Sequence, residues 1–576
     1  MRKSFDDCMK VLLIQPPIQD FYHTPIRTQP IGLAYIAASL RSEGHEVEML
    51  DCRAGKKREA PIPSELSYLK ELYPFNDRSP YGLYRGYYHF GMSWEDIRQK
   101  IMQADADIYG ISSGFTPYHG EALKVADMVK TWDAKKTVLM GGTHVSADPE
   151  GVLQNPLVDY AVLGEGERRL PLLLKALEKN GKTSAALDGI GTRKNGEITV
   201  PTARTFIDDL DALPYPARDL LDPDSYRIGK KRSTMIITSR GCPHCCAYCS
   251  SHRTMGSAFR TRSPSNIIEE MKECRETYDI QAFDIEDDNF TYDQQRAAQV
   301  LRLIIETFGE GNLEMTAMNG ISFVSLSSEL IGLMKRAGFK TINLSLVSTS
   351  DCLRSTMGRP TGTADFSAVL DDAERVGLNV VAYAILGMPG QTIEEMVETI
   401  GYLMSRRLLI GPSIYYPVPG TVLFDACRKE GILPHFPSQY RSSAVPIETV
   451  DFNRLDLITL FRLVRAVNFI KGKIDEKVLA EGINLHDLFL LLREKTRVKD
   501  APVMHSAFGM PGQLSRRGEG NSWQELLFLL LKERTLFCLQ KVADGGIMAA
   551  RGAQSKKVID HFLERMWLEP IRGSRV

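Results

Sequence analysis

The sequence predicts a mostly α/β protein: a doubly wound parallel sheet, then a partial or full parallel βα barrel, then a helical C-terminal region. Three observations predict it. Short apolar runs alternate with helix-period segments over residues 1–185, the pattern of repeated strand–helix units. The alternation resumes from residue 231 with units of barrel length. From about 445 the strand signal gives way to charged, amphipathic helical stretches. The expected divisions are 1–185, a connector at 186–230, 231–445 and 446–576.

In the first part, Val11-Leu-Leu-Ile14 is a short buried strand stopped by Pro16-Pro17. Residues 31–43 have helical spacing, with Leu33, Ile36, Ala37 and Leu40 on one face and Gly44 at the end. Val47–Leu50, Ile108–Ile111, Thr137–Met140 and Tyr160–Leu163 are further strands. Ser93-Trp-Glu-Asp96 reads as a capping box opening a helix through Ile101, and 121–131 as another helix. Ligands of such sheets bind beyond the carboxyl ends of the strands. Those ends carry Ser112-Ser-Gly114, Gly141-Gly-Thr-His144 and Gly164-Glu-Gly-Glu167. Residues 55–90, with Tyr81, Tyr84, Tyr87 and Tyr88, interrupt the alternation as either a lid or a surface excursion. In the connector, Arg193-Lys-Asn-Gly196 signals a hairpin turn.

In the second part the expected strands are Thr234–Ser239, Ala282–Ile285, Thr341–Leu346, Val380–Leu386 and Pro412–Tyr416. Helices are expected near 265–278, 293–308, 328–337, 365–376 and 393–404. Beyond 445, the run Leu455–Ile474 is amphipathic and reads as core-facing, and 509–521 as a Gly/Ser-rich break.

A formal net charge of -1 gives no basic excess for a polyanionic partner, so nucleic-acid binding has no electrostatic support. No stretch approaches the roughly 18 apolar residues of a membrane span, and the polar start Met-Arg-Lys-Ser-Phe does not read as a signal peptide. Of ten cysteines, four fall within 242–249 and six are scattered. That suits one metal site in a reducing cytoplasm rather than a disulfide framework.

The clustered cysteines read Cys242-Pro-His-Cys-Cys246-Ala-Tyr-Cys249, on a loop just after the first barrel strand. Cys242, Cys246 and Cys249 give the spacing Cys-x3-Cys-x2-Cys, with Cys245 as an extra. Three thiolates can hold three corners of a [4Fe–4S] cluster and leave its fourth iron open to a small molecule. The competing reading is a closed zinc site, whose fourth ligand would be His244, Cys245 or His252.

With both halves in view, residues 10–425 resemble the cobalamin-binding radical S-adenosylmethionine (radical SAM) family. The resemblance rests on Val11–Pro17, Pro30–Ala38, Gly141–His144 and Gly164–Glu167 in the first part. In the second it rests on the cysteine motif, Arg260-Thr-Arg262-Ser-Pro264, Phe283–Phe290, Tyr383–Thr392 and Pro417-Val-Pro-Gly-Thr421. It implies three cofactors: a [4Fe–4S] cluster, S-adenosylmethionine (SAM) and cobalamin. It implies cobalamin contacts at Ser112, Gly141, Gly142, His144, Gly164 and Glu165. It implies SAM contacts at Tyr248, at Asp287 first and Asp288 second for the ammonium group, and at Ser345 or Ser348. Two departures stand out. The chain has no Asp-x-His-x-x-Gly motif to supply an axial histidine, leaving His23, His45 and His144 as alternatives. Relatives usually read Gly-x-Glu-Ser where this chain reads Ser345-Leu-Val-Ser348, so Val347 replaces a carboxylate.

The implied activity is reductive cleavage of SAM at the cluster and modification of an unactivated carbon, with methyl transfer as the leading reading. Cyclisation or rearrangement is the alternative within the family, and a zinc-stabilised, non-catalytic cobalamin-binding protein the alternative outside it. A methylthiotransferase would need more cysteines in the first domain than Cys8 and Cys52. The expected partners are a small-molecule substrate, for which apolar and Tyr-lined stretches suggest a hydrophobic one, and an electron donor such as flavodoxin or ferredoxin. No residue is assigned as catalytic.

Overall fold

The computed structural model describes residues 8–22, 29–180, 187–201, 205–359, 362–495, 522–541 and 547–574. His23 and the stretch 509–521 lie outside them. The first sheet contains β1 (Lys10–Gln15), β2 (Glu46–Asp51), β3 (Ile108–Ser112), β4 (Thr137–Gly141), β5 (Tyr160–Val162), β6 (Ile190–Lys194) and β7 (Glu197–Thr199), in the order β7-β6-β5-β4-β3-β1-β2. The first five are mutually parallel. Strands buried on both faces read as continuous apolar runs, and β1 shows why. Leu12 and Ile14 enter one core with Ile97, Ile101 and Val125, while Val11 and Leu13 enter another with Leu40, Leu170 and Leu173. Helices 94–104 and 119–132 thus cover one face, and helices 31–42 and 166–180 the other.

The Asn195-Gly196 turn has φ of 51° and 86°, as a type I′ hairpin requires. Its strands extend the first sheet by antiparallel pairing of β6 to β5. This corrects the expected connector, since the first sheet runs on to Thr199.

The second sheet has six parallel strands: β8 (Lys231–Ile236), β9 (Ala282–Ile285), β10 (Glu314–Thr316), β11 (Thr341–Val347), β12 (Asn379–Leu386) and β13 (Leu409–Ile414). Two sets of three, β8-β9-β10 and β11-β12-β13, are joined by parallel bridges at Met315–Phe339 and Ile321–Leu344. The result is a partial barrel. β10 is absent from the expected strands because it is three residues long and has one apolar side chain. At the β13 edge, the Asn468 amide accepts from Ile410 N–H (3.1 Å) and donates to its carbonyl (2.8 Å), so a side chain substitutes for a further strand.

Asn468 belongs to helix Arg454–Asp475, whose Leu457, Leu460, Leu463, Val464, Val467 and Ile470 are buried in the large core, as the amphipathic pattern predicts. The C-terminal region is not wholly helical. Phe537–Lys541 and Ile547–Arg551 form an antiparallel hairpin, whose short strands lie between helices and give little periodic signal. The Tyr-rich insertion is a buttress rather than a lid. Tyr73, Tyr81, Tyr84 and Tyr87 are buried, Tyr73 Oη donates to Ser443 O (2.7 Å), and Arg78 N–H donates to Leu539 O (2.8 Å). Among the described residues, no helix is long and apolar enough to cross a membrane.

Candidate active site between the two sheets

In the first sheet the chain order reverses between β1 and β3, and a doubly wound sheet opens a crevice at the carboxyl ends of such strands. A cavity of about 1090 Å³, its open mouth included, lies there. One wall comes from the segments after β1, β3 and β4, including Tyr22, Phe115, Tyr118 and His144. The opposite wall comes from the end of β13, including Tyr416, and from Ser250, the residue after Cys249. The carboxyl ends of both sheets therefore face one space. Its floor is pinned by Asp20, which accepts from Tyr118 Oη (2.7 Å) and Ser443 Oγ (2.8 Å) and pairs with Arg441 (3.1 Å).

The cysteine loop begins at the carboxyl end of β8. Gly241 takes φ of 82°, and a Cβ there would lie 2.2 Å from Ala258 O, so the residue before Cys242 must be glycine. The loop is stitched down by Ala247 N–H to Met357 O (3.2 Å) and Leu423 N–H to Ala247 O (3.0 Å). Burial pushes the Cys242 thiol up and that of Cys249 up to about 11. Ionising them in this environment needs a bound cation, which iron supplies. His244 and Cys245 are exposed, and the His244 ring lies against Tyr292 (centroids 5.9 Å apart). Among the described residues, no three His, Cys, Asp or Glu side chains converge as a single metal ion requires. Three thiols on one loop, with His244 and Cys245 exposed, suit a cluster that offers each its own iron.

Both aspartates expected at the SAM ammonium turn out to shape this loop. Asp287 is buried and accepts from Thr238 N–H (2.6 Å), Thr238 Oγ1 (2.5 Å) and Ser239 Oγ (2.6 Å). Asp288 accepts from Gly241 N–H (3.1 Å), ahead of the cysteines, and from Ser251 Oγ, behind them. The reading of Asp287 as the first ammonium acceptor is corrected: its oxygens are spent on the loop. Strand alternation sends it outward and sends Glu286 the other way. Glu286 is half-buried and accepts from Asn319 Nδ2 (2.7 Å).

Ser348 is likewise corrected. It is buried, and its hydroxyl accepts from Ser350 N–H (3.1 Å) and lies 3.3 Å from Thr399 Oγ1. Ser345 is half-buried, in register with Tyr383 on the side of β11 away from the outer helices. Val347 is fully buried against Ala247, Met388 and Tyr415. Its φ of 71° is a left-handed conformation rare for a β-branched residue, at a register shift in β11. The Tyr248 hydroxyl is buried beside Cys246.

Of the six residues expected around cobalamin, His144 lines the cavity. Gly142 makes the turn that delivers it: φ is 115°, and a Cβ would lie 2.7 Å from Ser113 O. His144 Nδ1 is 3.1 Å from Thr116 Oγ1, and its ring packs on His119 (centroids 4.5 Å apart). Burial pushes His144 down to about 4 and, with His144 beside it, His119 down to about 3, so the pair is neutral near pH 7. Ser112 and Gly141 pair with each other one step back in the sheet. His45 precedes β2 and so lies at the opposite edge.

Gly164 and Glu165 correct the expectation. Gly164 abuts Thr254 and Arg169, and Glu165 is buried under the barrel. Glu165 pairs with Arg240 (2.9 Å) and Arg260 (2.9 Å) and also accepts from Ile207 N–H (2.7 Å). Glu167 also pairs with Arg240 (2.6 Å). This turn braces the two domains, with both Glu165 oxygens engaged by Arg240, Arg260 and Ile207 N–H.

One group near the cysteines is absent from the sequence reading. Arg359 Nε donates to Cys246 Sγ at 3.2 Å, from a position 113 residues further along the chain. Only the fold shows that proximity.

The model of the radical SAM superfamily matches residues 236–403, and that of the B12 binding domain residues 86–174. An uncharacterized methyltransferase of Pyrococcus horikoshii is 27% identical over 84% of this chain and 97% of its own length. The cytidylyl-2-hydroxyethylphosphonate methyltransferase of Streptomyces wedmorensis is 27% identical over 75% and 84%. The solved structure of the radical S-adenosylmethionine methyltransferase TsrM from Kitasatospora setae, with cobalamin and a [4Fe–4S] cluster bound, is 17% identical. It superposes with a TM-score of 0.56, covering 76% of this chain and 81% of that one.

Proposed function

We propose that this chain, which belongs to the cobalamin-binding radical SAM family, is a methyltransferase acting on an unactivated carbon of a small molecule. The observation that carries the reading is the shared cavity. His144 of the first domain opens on it, and so does Ser250, next to Cys249 of the cysteine loop. Groups held by the two domains would therefore meet over one substrate. The relatives named above are methyltransferases, which supports methyl transfer over cyclisation or rearrangement.

In this reading Cys242, Cys246 and Cys249 hold the cluster, and the crevice over Gly142 and His144 holds cobalamin. Bound there with SAM, these groups supply one-electron cleavage of SAM, a carbon-centred radical and a transferable methyl group. The chain's own residues hold and exclude. Asp287 and Asp288 fix the cysteine loop from behind. Glu286 offers the carboxylate that suits the methionine ammonium, with Ser345 across the barrel. Tyr22, Phe115, Tyr118 and Tyr416 give the cavity an aromatic lining that excludes water from a reactive intermediate and favours an apolar or aromatic substrate. The one-electron donor would be a small redox protein such as flavodoxin or ferredoxin.

The test is anaerobic reconstitution with iron, sulfide and cobalamin, followed by reduction with SAM present. A methyltransferase forms both 5′-deoxyadenosine, from reductive cleavage, and S-adenosylhomocysteine, from methyl loss. Formation of 5′-deoxyadenosine alone would favour cyclisation or rearrangement. A preparation that binds zinc but no iron would overturn the enzyme reading.

A further inference from the structure

We infer that Arg359 tunes the reduction potential of the cluster bound by Cys242, Cys246 and Cys249. The inference rests on the reading of those cysteines as cluster ligands. Helix Asp351–Thr356 ends at Met357, and Gly358 follows with φ of 72°, the left-handed residue that commonly terminates a helix. A Cβ on Gly358 would lie 3.2 Å from Cys245 O. This turn therefore lies directly on the cysteine loop. Ala247 N–H donates to Met357 O (3.2 Å), and Arg359 N–H donates to Arg354 O (2.7 Å). Arg359 is thereby held by backbone on both sides, and its Nε–H points at Cys246 Sγ, 3.2 Å away.

The guanidinium is half-buried, and among the described residues no carboxylate pairs with it. A desolvated cation needs an anion. The sulfur it contacts belongs to a thiolate once iron is bound, and a three-thiolate [4Fe–4S] unit gains a further negative charge on reduction. A fixed positive charge hydrogen-bonded to a ligand sulfur stabilises the reduced form more than the oxidised one, and so raises the potential. This matters for a cluster that must accept an electron before SAM can be cleaved. Asp288 acts electrostatically on Cys242 and Cys249, but among the described residues neither it nor Asp287 pairs with Arg359. Asp287 and Asp288 are turned to Thr238, Ser239, Gly241 and Ser251.

The experiment is an EPR-monitored redox titration of the reconstituted wild type, Arg359→Gln and Arg359→Lys, with dithionite as reductant and iron and sulfide counted in each sample. In Arg359→Gln the ratio of reduced to oxidised cluster at a fixed potential should fall at least tenfold, equivalent to a downward midpoint shift of about 59 mV for one electron. Arg359→Lys keeps a charge but loses the fixed fork, and should fall by less. A fully loaded Arg359→Gln protein titrating at the wild-type midpoint overturns the inference. If Arg359→Gln retains no iron, Arg359→Lys decides, and a wild-type midpoint there overturns it. Absence of iron from the wild type itself would overturn the cluster reading and the inference with it. A purely structural arginine would alter loading without moving the midpoint of loaded protein.

Discussion

The two domains meet along two stretches built on opposite principles. Behind the cysteine loop, the interface is a closed ion network: Glu165 and Glu167 from the first domain, Arg240 and Arg260 from the second, all nearly inaccessible to water. In front of the loop, the interface opens into the cavity, where aromatic rings and His144, backed by His119, form the lining. Arg240 stands two residues before Cys242, and His144 stands across the cavity. The rigid stretch thus sets the spacing that the open stretch exploits. The contrast shows where rigidity is needed: at the hinge side, where a small shift would change the separation of two bound groups, and not at the side where a substrate must enter.

Three measurements would break or sharpen that contrast. The largest effect should come from the closed side. Glu165→Ala leaves Arg240 and Arg260 short of a buried counter-charge, and breaking a buried pair typically costs about 3–5 kcal/mol. A denaturant titration should show the midpoint falling accordingly, whereas an unchanged midpoint would mean that water enters the network.

A smaller effect belongs to the open side and depends on pH. His119 and His144 are held at about 3 and about 4 in the folded chain, below the ordinary value near 6.5 in the unfolded one. The unfolded state therefore binds more protons between pH 7 and 4, and stability falls as pH falls through that window. From pH 7 to 5 the loss is about 2 kcal/mol per histidine by linkage. Glu121, pushed up to about 7 by burial, works in the opposite sense, because its stability contribution is lost as pH rises. Comparing the pH slope of wild type with His144→Asn isolates the histidine share: the slope should drop in the variant. An identical slope would mean that the imidazole is not desolvated.

The smallest effect on stability should come from Phe115→Ala. Phe115 is 52% exposed at the cavity mouth, and a surface truncation of this kind costs within about 0.5 kcal/mol. Cobalamin retention after gel filtration should nevertheless fall, since the ring is part of the wall. A stability loss without a retention loss would assign Phe115 to the core instead.

The parallel sheets were legible because double burial leaves an unambiguous mark: Val11-Leu-Leu-Ile14 has no polar residue for either face. The cysteine triplet was legible for a chemical reason, since few arrangements other than a metal site need three thiols in eight residues. The carboxylates were not. Phe283-Asp-Ile-Glu-Asp-Asp-Asn289 carries one acidic side chain within β9 and three past its end, and a one-residue change of phase exchanges inward for outward. Glu286 and Asp287 could not be told apart without the backbone. Glu165 was misread for a different reason. A glycine-flanked glutamate at a strand end is compatible with a ligand contact, and its actual partner, Arg240, is 75 residues away. Arg359 shares that difficulty, since its contact with Cys246 spans 113 residues and leaves no local pattern.

The brace of Glu165, Glu167, Arg240 and Arg260 also bears on how this architecture can be taken apart or inherited. Cutting the chain between its two sheets would strip the barrel's two arginines of their carboxylates and the first domain's glutamates of their cations. Each piece would then present unpaired charge on a face shaped to be dry. Such halves cannot be shuffled independently like beads on a string. A recombination event that exchanged one of them would have to bring matching charges with it, so evolution should swap the pair together and vary the cavity alone.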